Sequence, residues 1–146
     1  MYRRILIPID GSACSDAALA HGLQLAKEQE ADVRLMHVLD TQALYLLYEG
    51  LYVEGIAEKW RREGQAFLDA AAGQAGRAGL SVATALMDEG GRVPDVIVAE
   101  AGRWPADLIV MGTHGRHGFD HLLLGSAAEG VVRTTPVPVL LIRKAE

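Results

Sequence analysis

Apolar runs separated by polar breaks follow one another along the chain, and five of them predict β-strands. These runs occupy residues 4–9, 33–39, 81–87, 107–111 and 137–142. The second run carries Val33, Leu35, Met36 and Val38 and is too continuous to form one face of an exposed sheet. We therefore expect a strand buried inside a parallel sheet.

Helical patterns lie between these strands. Ser12 is placed to cap a first helix that carries an apolar stripe and ends near Glu30. Further helices are expected over residues 56–78, 93–101 and 125–134. Strict alternation of this kind predicts an α/β fold, a doubly wound and Rossmann-like five-stranded parallel sheet with helices on both faces. With the strands numbered along the chain, the expected order is 3-2-1-4-5.

The segment 40–55 breaks this alternation. It contains Tyr45, Tyr48 and Tyr52 without a regular period. We interpret it as a long loop or a partly helical lid, and no motif assigns a ligand contact to it.

Composition narrows the class of protein. A length of 146 residues suits one domain over 1–146, and no run of about 18 apolar residues predicts a membrane span. The N-terminal apolar run is too short for a signal peptide, and the single cysteine, Cys14, suits a reducing compartment. We therefore expect a cytoplasmic protein. A net charge of −5 and a pI near 5.5 argue against nucleic-acid binding.

Glycine and aspartate recur where predicted strands end, at residues 10–11, 38–40 and 111–112. In a doubly wound sheet a ligand binds beyond the carboxyl ends of the strands, at the point where the strand order reverses. We therefore expect a ligand at this edge of the sheet.

The most informative segment is 111–126. Gly112 and Gly115 allow the backbone to turn tightly and to present N–H groups to phosphate oxygens without an intervening Cβ. Gly125 and Ser126 then begin a predicted helix. Its first N–H groups lack internal partners and form an anion site together with the helix dipole. Two phosphate-binding elements thus flank one loop.

The glycine spacing excludes two common nucleotide signatures and matches a third. The chain has no Walker loop, and its first strand turn lacks the GxGxxG spacing of NAD and FAD sites. Gly112, Gly115, Gly125 and Ser126 form Gly-x-x-Gly, nine residues, then Gly-Ser. This pattern resembles the signature of the ATP-binding universal stress proteins. The similarity covers nearly the whole chain, including segments 7–12, 37–38, 107–116 and 135–140.

This resemblance implies ATP as the ligand, with Mg²⁺ carried by the nucleotide, and a set of contacts around it. The adenine and ribose region would be lined by Pro8, Ile9, Asp10 and Val38. The residues lying along the ribose and phosphates would be Met111, Gly112, His114, Gly115 and Arg116. Those holding the phosphate tail would be Gly125, Ser126 and Ala127. The protein would act as a nucleotide-dependent sensor or switch in stress response, with a protein partner that the sequence does not identify.

Two other functions stay open. A slow ATPase, or a relative of the adenylating enzymes that use a similar sheet, would need a positioned base or a clamp for the leaving phosphates. The chain lacks the Ser-Gly-Gly phosphate loop of those enzymes. We therefore assign no catalytic residue and expect at most weak ATP hydrolysis. A nucleotide-free dimeric interaction module is the third hypothesis, and the intact glycine signature argues against it.

Asp10 and His37 each have two interpretations. Asp10 either binds a ribose hydroxyl or an ATP-bound magnesium ion, or caps the first helix. His37 lies within a predicted strand, so we expect a hydrogen-bonded core histidine rather than a ligand-binding one.

A dedicated metal site is not expected. His114, His117 and His121 lie in an irregular loop without a cysteine partner or helical spacing, which disfavours a zinc site. Cys14 has no acid–base partner nearby in sequence, and we expect it to be a small buried residue.

The last apolar run, from Val137 to Ile142, is expected to join two copies of the chain. As the fifth strand it lies at a sheet edge, where free N–H and C=O groups invite pairing with another chain. Pro138 is tolerated at such an edge, and the run is nearly all aliphatic. Because the family resemblance also points to dimerisation here, we expect a homodimer.

Overall fold

The computed structural model describes residues 1–50, 54–115 and 124–144. In these ranges the strands are Arg4–Pro8 (β1), Asp32–Val38 (β2), Val82–Met87 (β3), Leu108–Gly112 (β4) and Val139–Ile142 (β5). The helices are Ala13–Gln29 (α1), Thr41–Leu47 (α2), Ile56–Arg77 (α3), Val93–Arg103 (α4) and Ser126–Thr134 (α5). Strands and helices therefore alternate as the sequence predicted, with α2 as an addition.

The strands form one parallel sheet in the order β3-β2-β1-β4-β5, which confirms the predicted doubly wound fold. β1 lies at the centre, and its Ile5 is paired with Val33 of β2 on one side and Leu108 of β4 on the other. The chain adds strands first on one side of β1 and then on the other. The point at which the order reverses therefore lies between β1 and β4.

Helices pack on both faces of the sheet because the side chains of the central strands alternate between two apolar clusters. Ile5 and Ile7 of β1 pack on one face with residues of α1 and α3. Leu6 packs on the opposite face with residues of α4 and α5. All three side chains are fully buried, and each contributes about 1.5–3 kcal/mol to stability.

An ion pair of the buried Glu100 carboxylate links α4 to the sheet. Glu100 of α4 is 1% exposed and accepts a hydrogen bond from Arg34 of β2, with 2.6 Å between Arg34 Nη1 and Glu100 Oε1. Arg103 donates to the other carboxylate oxygen, and the Arg34 guanidinium lies 5.1 Å from the centre of the Trp104 ring. Burial makes the Glu100 carboxylate depend on these two arginines, and because Arg34 belongs to β2, its ion pair with Glu100 fixes the position of α4 on that strand.

The segment 40–55 is partly helical, as one of its two interpretations predicted, whereas β5 is shorter than predicted. The segment 40–55 contains α2, whose start is capped by Asp40 because its Oδ1 accepts a hydrogen bond from the Ala43 N–H at 3.0 Å. β5 begins at Val139 rather than at Val137, whose N–H donates to Thr135 Oγ1 instead of to a neighbouring strand. Across the described ranges, none of the helices combines the length and apolar character needed to cross a bilayer.

Candidate functional site

A cleft of about 820 Å³ opens at the carboxyl ends of the central strands. Its walls come from the ends of β1, β2 and β4, from α2 and the first part of α3, and from the starts of α4 and α5. The volume lies within the range of small-molecule and cofactor sites. The cleft spans the point between β1 and β4 where the strand order reverses, as the fold predicts for a ligand site.

The residues that the sequence singled out come together in this cleft. Every one that lies within the described ranges lines its wall: Pro8, Ile9, Asp10, Val38, Met111, Gly112, His114, Gly115, Gly125, Ser126 and Ala127. Arg116 lies outside the described residues. The predicted set therefore surrounds one space, although its members come from four separate segments of the chain.

The turn between β1 and α1 is held by its own side chains. Asp10 Oδ1 accepts a hydrogen bond from the Ser12 N–H at 2.9 Å, and Gly11 has a left-handed φ of 81°. Ser12 Oγ caps α1 by accepting from the Ser15 N–H at 3.1 Å, while Ser15 Oγ accepts from the Asp10 N–H at 3.1 Å. The helix cap is thus Ser12, as predicted, and Asp10 shapes the turn that leads to it.

The second Asp10 oxygen lies beside the loop that follows β4. A Cβ added to Gly115 would stand 2.7 Å from Asp10 Oδ2, so a larger residue at this position would displace the carboxylate or the loop. Glycine at position 115 therefore allows the acidic end of β1 and the loop after β4 to lie against each other.

Gly112 has a packing role that the sequence did not reveal. It lacks a left-handed φ, and a Cβ on it would lie 2.7 Å from Cys14 Cβ and 2.8 Å from the Cys14 carbonyl carbon. Glycine is needed here because α1 approaches the end of β4 closely. Cys14 itself is half-buried, rather than buried as expected.

The start of α5 differs from that of α1 because its N-cap residue is a glycine and has no side chain to cap the helix. Gly125 occupies the N-cap of α5 with φ −61° and ψ 155°, and no side chain of the residues that the structure describes caps this helix. The Gly125 N–H donates to the Thr113 carbonyl oxygen at 2.7 Å, which closes the loop between them. The donors that this helix start can offer to a ligand are therefore those of the next residues, Ser126 and Ala127, which line the cleft.

Several lining residues were not predicted from the sequence. They come from α2, from the second turn of α3 and from the N-cap of α4: Asp40, Gln42, Ala43, Leu47, Trp60, Glu63 and Arg92. No motif marks them, because only the packing of distant elements brings them to the cleft. The one local signal is the pair Gly90 and Gly91 just before α4, whose φ values of 90° and 101° form an unusual turn.

His37 is a hydrogen-bonded core histidine, as expected. It is buried, its Nδ1 lies 2.7 Å from the Ile9 carbonyl oxygen, and its ring meets Phe67 edge to face at 5.5 Å. The hydrogen bond to Ile9 joins the ends of β1 and β2, and His37 is also among the residues that line the cleft.

Of the three histidines considered for zinc, only His114 lies within the described residues. Its Nδ1 is 3.1 Å from Thr113 Oγ1. Across the described ranges, no group of three or more His, Cys, Asp or Glu side chains is arranged to hold a metal ion. His117 and His121 lie outside those ranges.

The doubly wound sheet, with a cleft at its switch point, places the chain in the Rossmann-like α/β class. The family model described as "Universal stress protein family" matches residues 1–143, and the chain belongs to this family. A universal stress protein of Methanocaldococcus jannaschii is 37% identical over 148 residues, which cover 99% of this chain and 84% of that protein.

Solved structures share the fold over almost the full length. Hypothetical protein MJ0577 superposes with a TM-score of 0.84 at 26% identity, covering 100% of this chain and 99% of that one. A universal stress protein in complex with cAMP has a TM-score of 0.69 at 24% identity, over 97% and 96% of the two chains. The Archaeoglobus fulgidus protein in complex with dAMP gives 0.69 at 23% identity, over 97% and 98%. The last two likenesses show a common fold.

Proposed function

We propose that the protein binds ATP in this cleft, with Mg²⁺ carried by the nucleotide, and acts as a nucleotide-dependent sensor or switch in stress response. The observation that carries the proposal is the uncapped start of α5 on the cleft wall. Backbone N–H groups at such a start, together with the helix dipole, bind phosphate. In the sensor role, occupancy of the cleft changes the loop between Gly112 and Gly125 and so the binding of a protein partner.

The rest of the cleft suits the other parts of the nucleotide. Pro8, Ile9 and Val38 offer apolar surface to the adenine ring at the ends of β1 and β2. Asp10 has one oxygen engaged in the turn, and its Oδ2, beside Gly115, is placed to meet a ribose hydroxyl or Mg²⁺. Because the structures with cAMP and dAMP establish only the fold, this assignment rests on the cleft of the chain itself.

Identification of the bound ligand tests this function directly. Mass spectrometry of small molecules released from the purified protein should detect ATP or its hydrolysis products. Calorimetry on the ligand-free protein should give tighter binding of ATP than of NAD. A protein that releases no nucleotide and binds none in solution would be a nucleotide-free module instead.

We expect binding without efficient chemistry. Donors in a backbone cradle hold the ground state and the transition state about equally, and such uniform binding does not accelerate a reaction. ATP turnover with magnesium should therefore stay far below about 10 per second, a typical enzyme value. A measured turnover near that value would contradict the sensor function and indicate an ATPase instead.

We also propose that the protein is a one-domain cytoplasmic homodimer joined through β5. β5 lies at a sheet edge with Leu140 39% exposed, whereas Ile142 is 9% exposed and belongs to an apolar cluster. Leu140→Lys should therefore disrupt pairing without disturbing the core, and sedimentation velocity at micromolar concentration should show a dimeric wild type and a monomeric variant. Thr84→Lys, at an exposed position on the opposite edge strand, is the matched control and should stay dimeric. A monomeric wild type or a dimeric Leu140→Lys would contradict the assignment.

A further inference from the structure

Arg92 is a cation on the wall of a cleft that otherwise carries negative side chains. Among the described lining residues it is the only arginine or lysine, while Asp10, Asp40 and Glu63 are carboxylates. Arg92 is exposed, and its side chain forms no hydrogen bond or ion pair within the described part of the chain. Arg61 differs, because it donates hydrogen bonds to the carboxylates of Asp88 and Glu58, which balance its positive charge and raise its pKa above the ordinary value.

Local structure gives no reason for an arginine at this position. Arg92 is the N-cap of α4, where Ser, Thr, Asp or Asn would supply a capping oxygen, and no side chain caps this helix. A positive charge is also unfavourable beside the positive end of the helix dipole. Positions that break local rules without a structural gain tend to be functional. A negatively charged ligand in the cleft would remove the conflict.

The start of α4 lies next to the start of α5. Pro94, two residues after Arg92, packs against Gly130, where an added Cβ would lie 2.6 Å from Pro94 Cβ. Gly130 follows Ser126 by one helical turn, about 6 Å along α5 at 1.5 Å per residue. Packed helices have axes about 8–10 Å apart, and Gly130 permits a close approach. A long arginine side chain at the start of α4 therefore comes within reach of a phosphate chain seated on α5.

We propose that Arg92 pairs with the outer phosphates of the nucleotide and makes the cleft selective for nucleoside triphosphates over monophosphates. This inference rests on the nucleotide-binding function proposed above. A guanidinium donates two parallel hydrogen bonds to phosphate oxygens, and these charge-assisted bonds are stronger than neutral ones. The backbone donors of α5 hold one phosphate, and Arg92 adds a contact that a monophosphate is too short to reach.

Calorimetry with adenosine, AMP, ADP and ATP on the wild type, Arg92→Gln and Arg77→Gln tests this selectivity. Arg77, in the last turn of α3 and absent from the cleft wall, is the matched control. Arg92→Gln should weaken ATP binding about tenfold and leave adenosine and AMP within about twofold. Arg77→Gln should match the wild type for all four ligands.

A second variant separates recognition from stability. Arg92→Ser supplies the missing cap oxygen, so it should raise Tm by about 2–4 °C while weakening ATP binding as much as Arg92→Gln does. Unchanged ATP affinity in both variants, or an equal loss for all four ligands, would overturn the role of Arg92. If the wild type bound none of the four ligands, the nucleotide-binding function itself would fail, and this inference with it.

Discussion

α1 and α5 both begin at the cleft, yet their first turns are satisfied in opposite ways. At α1 the side chains of Asp10, Ser12 and Ser15 bond to the backbone of the same turn. At α5 the N-cap is Gly125, which has no side chain to offer and donates its own N–H to the Thr113 carbonyl oxygen. One helix start is capped by side chains of its own turn, and the other is the start to which we assign the phosphates.

If the proposed function holds, this difference explains why phosphate would bind at α5 and not at α1: the capping side chain present at α1 is missing at α5. Both starts carry the same dipole and the same unpaired donors before capping. The serine cap uses one donor at α1, whereas the glycine at α5 leaves the next donors exposed to the cleft. The proposed difference in function between the two helix starts therefore depends on the identity of the N-cap residue, which single substitutions can change.

Gly125→Val should have the largest effect. A Cβ at this position would lie 2.8 Å from the Thr113 carbonyl oxygen, so the variant both fills the space in front of the helix and opens the loop. Calorimetry should show an ATP affinity reduced more than tenfold, above about 1.4 kcal/mol. Gly102→Val is the control, because nothing lies within 4 Å of a Cβ there, and it should bind ATP as the wild type does. Unchanged affinity in a folded Gly125→Val protein would remove the phosphate assignment.

Ser126→Pro should have an intermediate effect through a single donor. Proline is favoured at the first helical position, and the extended conformation of Gly125 suits a following proline, so the fold should be kept. Loss of the N–H should weaken ATP binding about threefold to tenfold. Ser126→Ala keeps the N–H and should lose less. Equal losses in the two variants would assign the contact to the hydroxyl, and wild-type affinity in Ser126→Pro would show that phosphate binds elsewhere.

Ser12→Ala should have the smallest effect on binding while lowering stability. Removing the cap of α1 should cost about 1 kcal/mol and lower Tm by about 2–4 °C in a thermal melt. ATP affinity should stay within about twofold of the wild type. Ser12→Asp keeps a capping oxygen and should melt near the wild type. A loss of ATP affinity in Ser12→Ala as large as that in Ser126→Pro would erase the distinction between the two helix starts.

The sheet was predictable because its signals are local. Each apolar run is bounded by glycine, proline or acidic residues, and the alternation with helices leaves few topologies. α2 was not predicted as a defined helix because its sequence lacks an amphipathic stripe. In the structure none of its residues is buried, and Leu46 is 73% exposed. β5 was predicted two residues too long, because an apolar sequence does not show that the Val137 N–H bonds to Thr135.

The candidate site was predictable only where a motif spans it. The glycine pattern located the loop after β4 and the start of α5, both of which reach the cleft. Trp60, Glu63 and Arg92 belong to elements whose positions depend on packing across the sheet. The role of Gly112 was also hidden, since its requirement comes from Cys14, a residue distant in sequence. The residues of the motif can therefore be predicted from the sequence, whereas the residues on the opposite wall of the cleft cannot.

The buried ion pair between Arg34 and Glu100 constrains how this protein can evolve. Replacing Arg34 leaves the buried Glu100 carboxylate with only the exposed Arg103 as a partner, so the loss of stability should approach the roughly 3–5 kcal/mol of a broken buried ion pair without reaching it. A change to an apolar pair would be tolerated only if both positions changed together. Glu100 fixes the position of α4, whose N-cap is Arg92. Relatives with other residues at position 34 or 100 should therefore also differ in the geometry of the cleft.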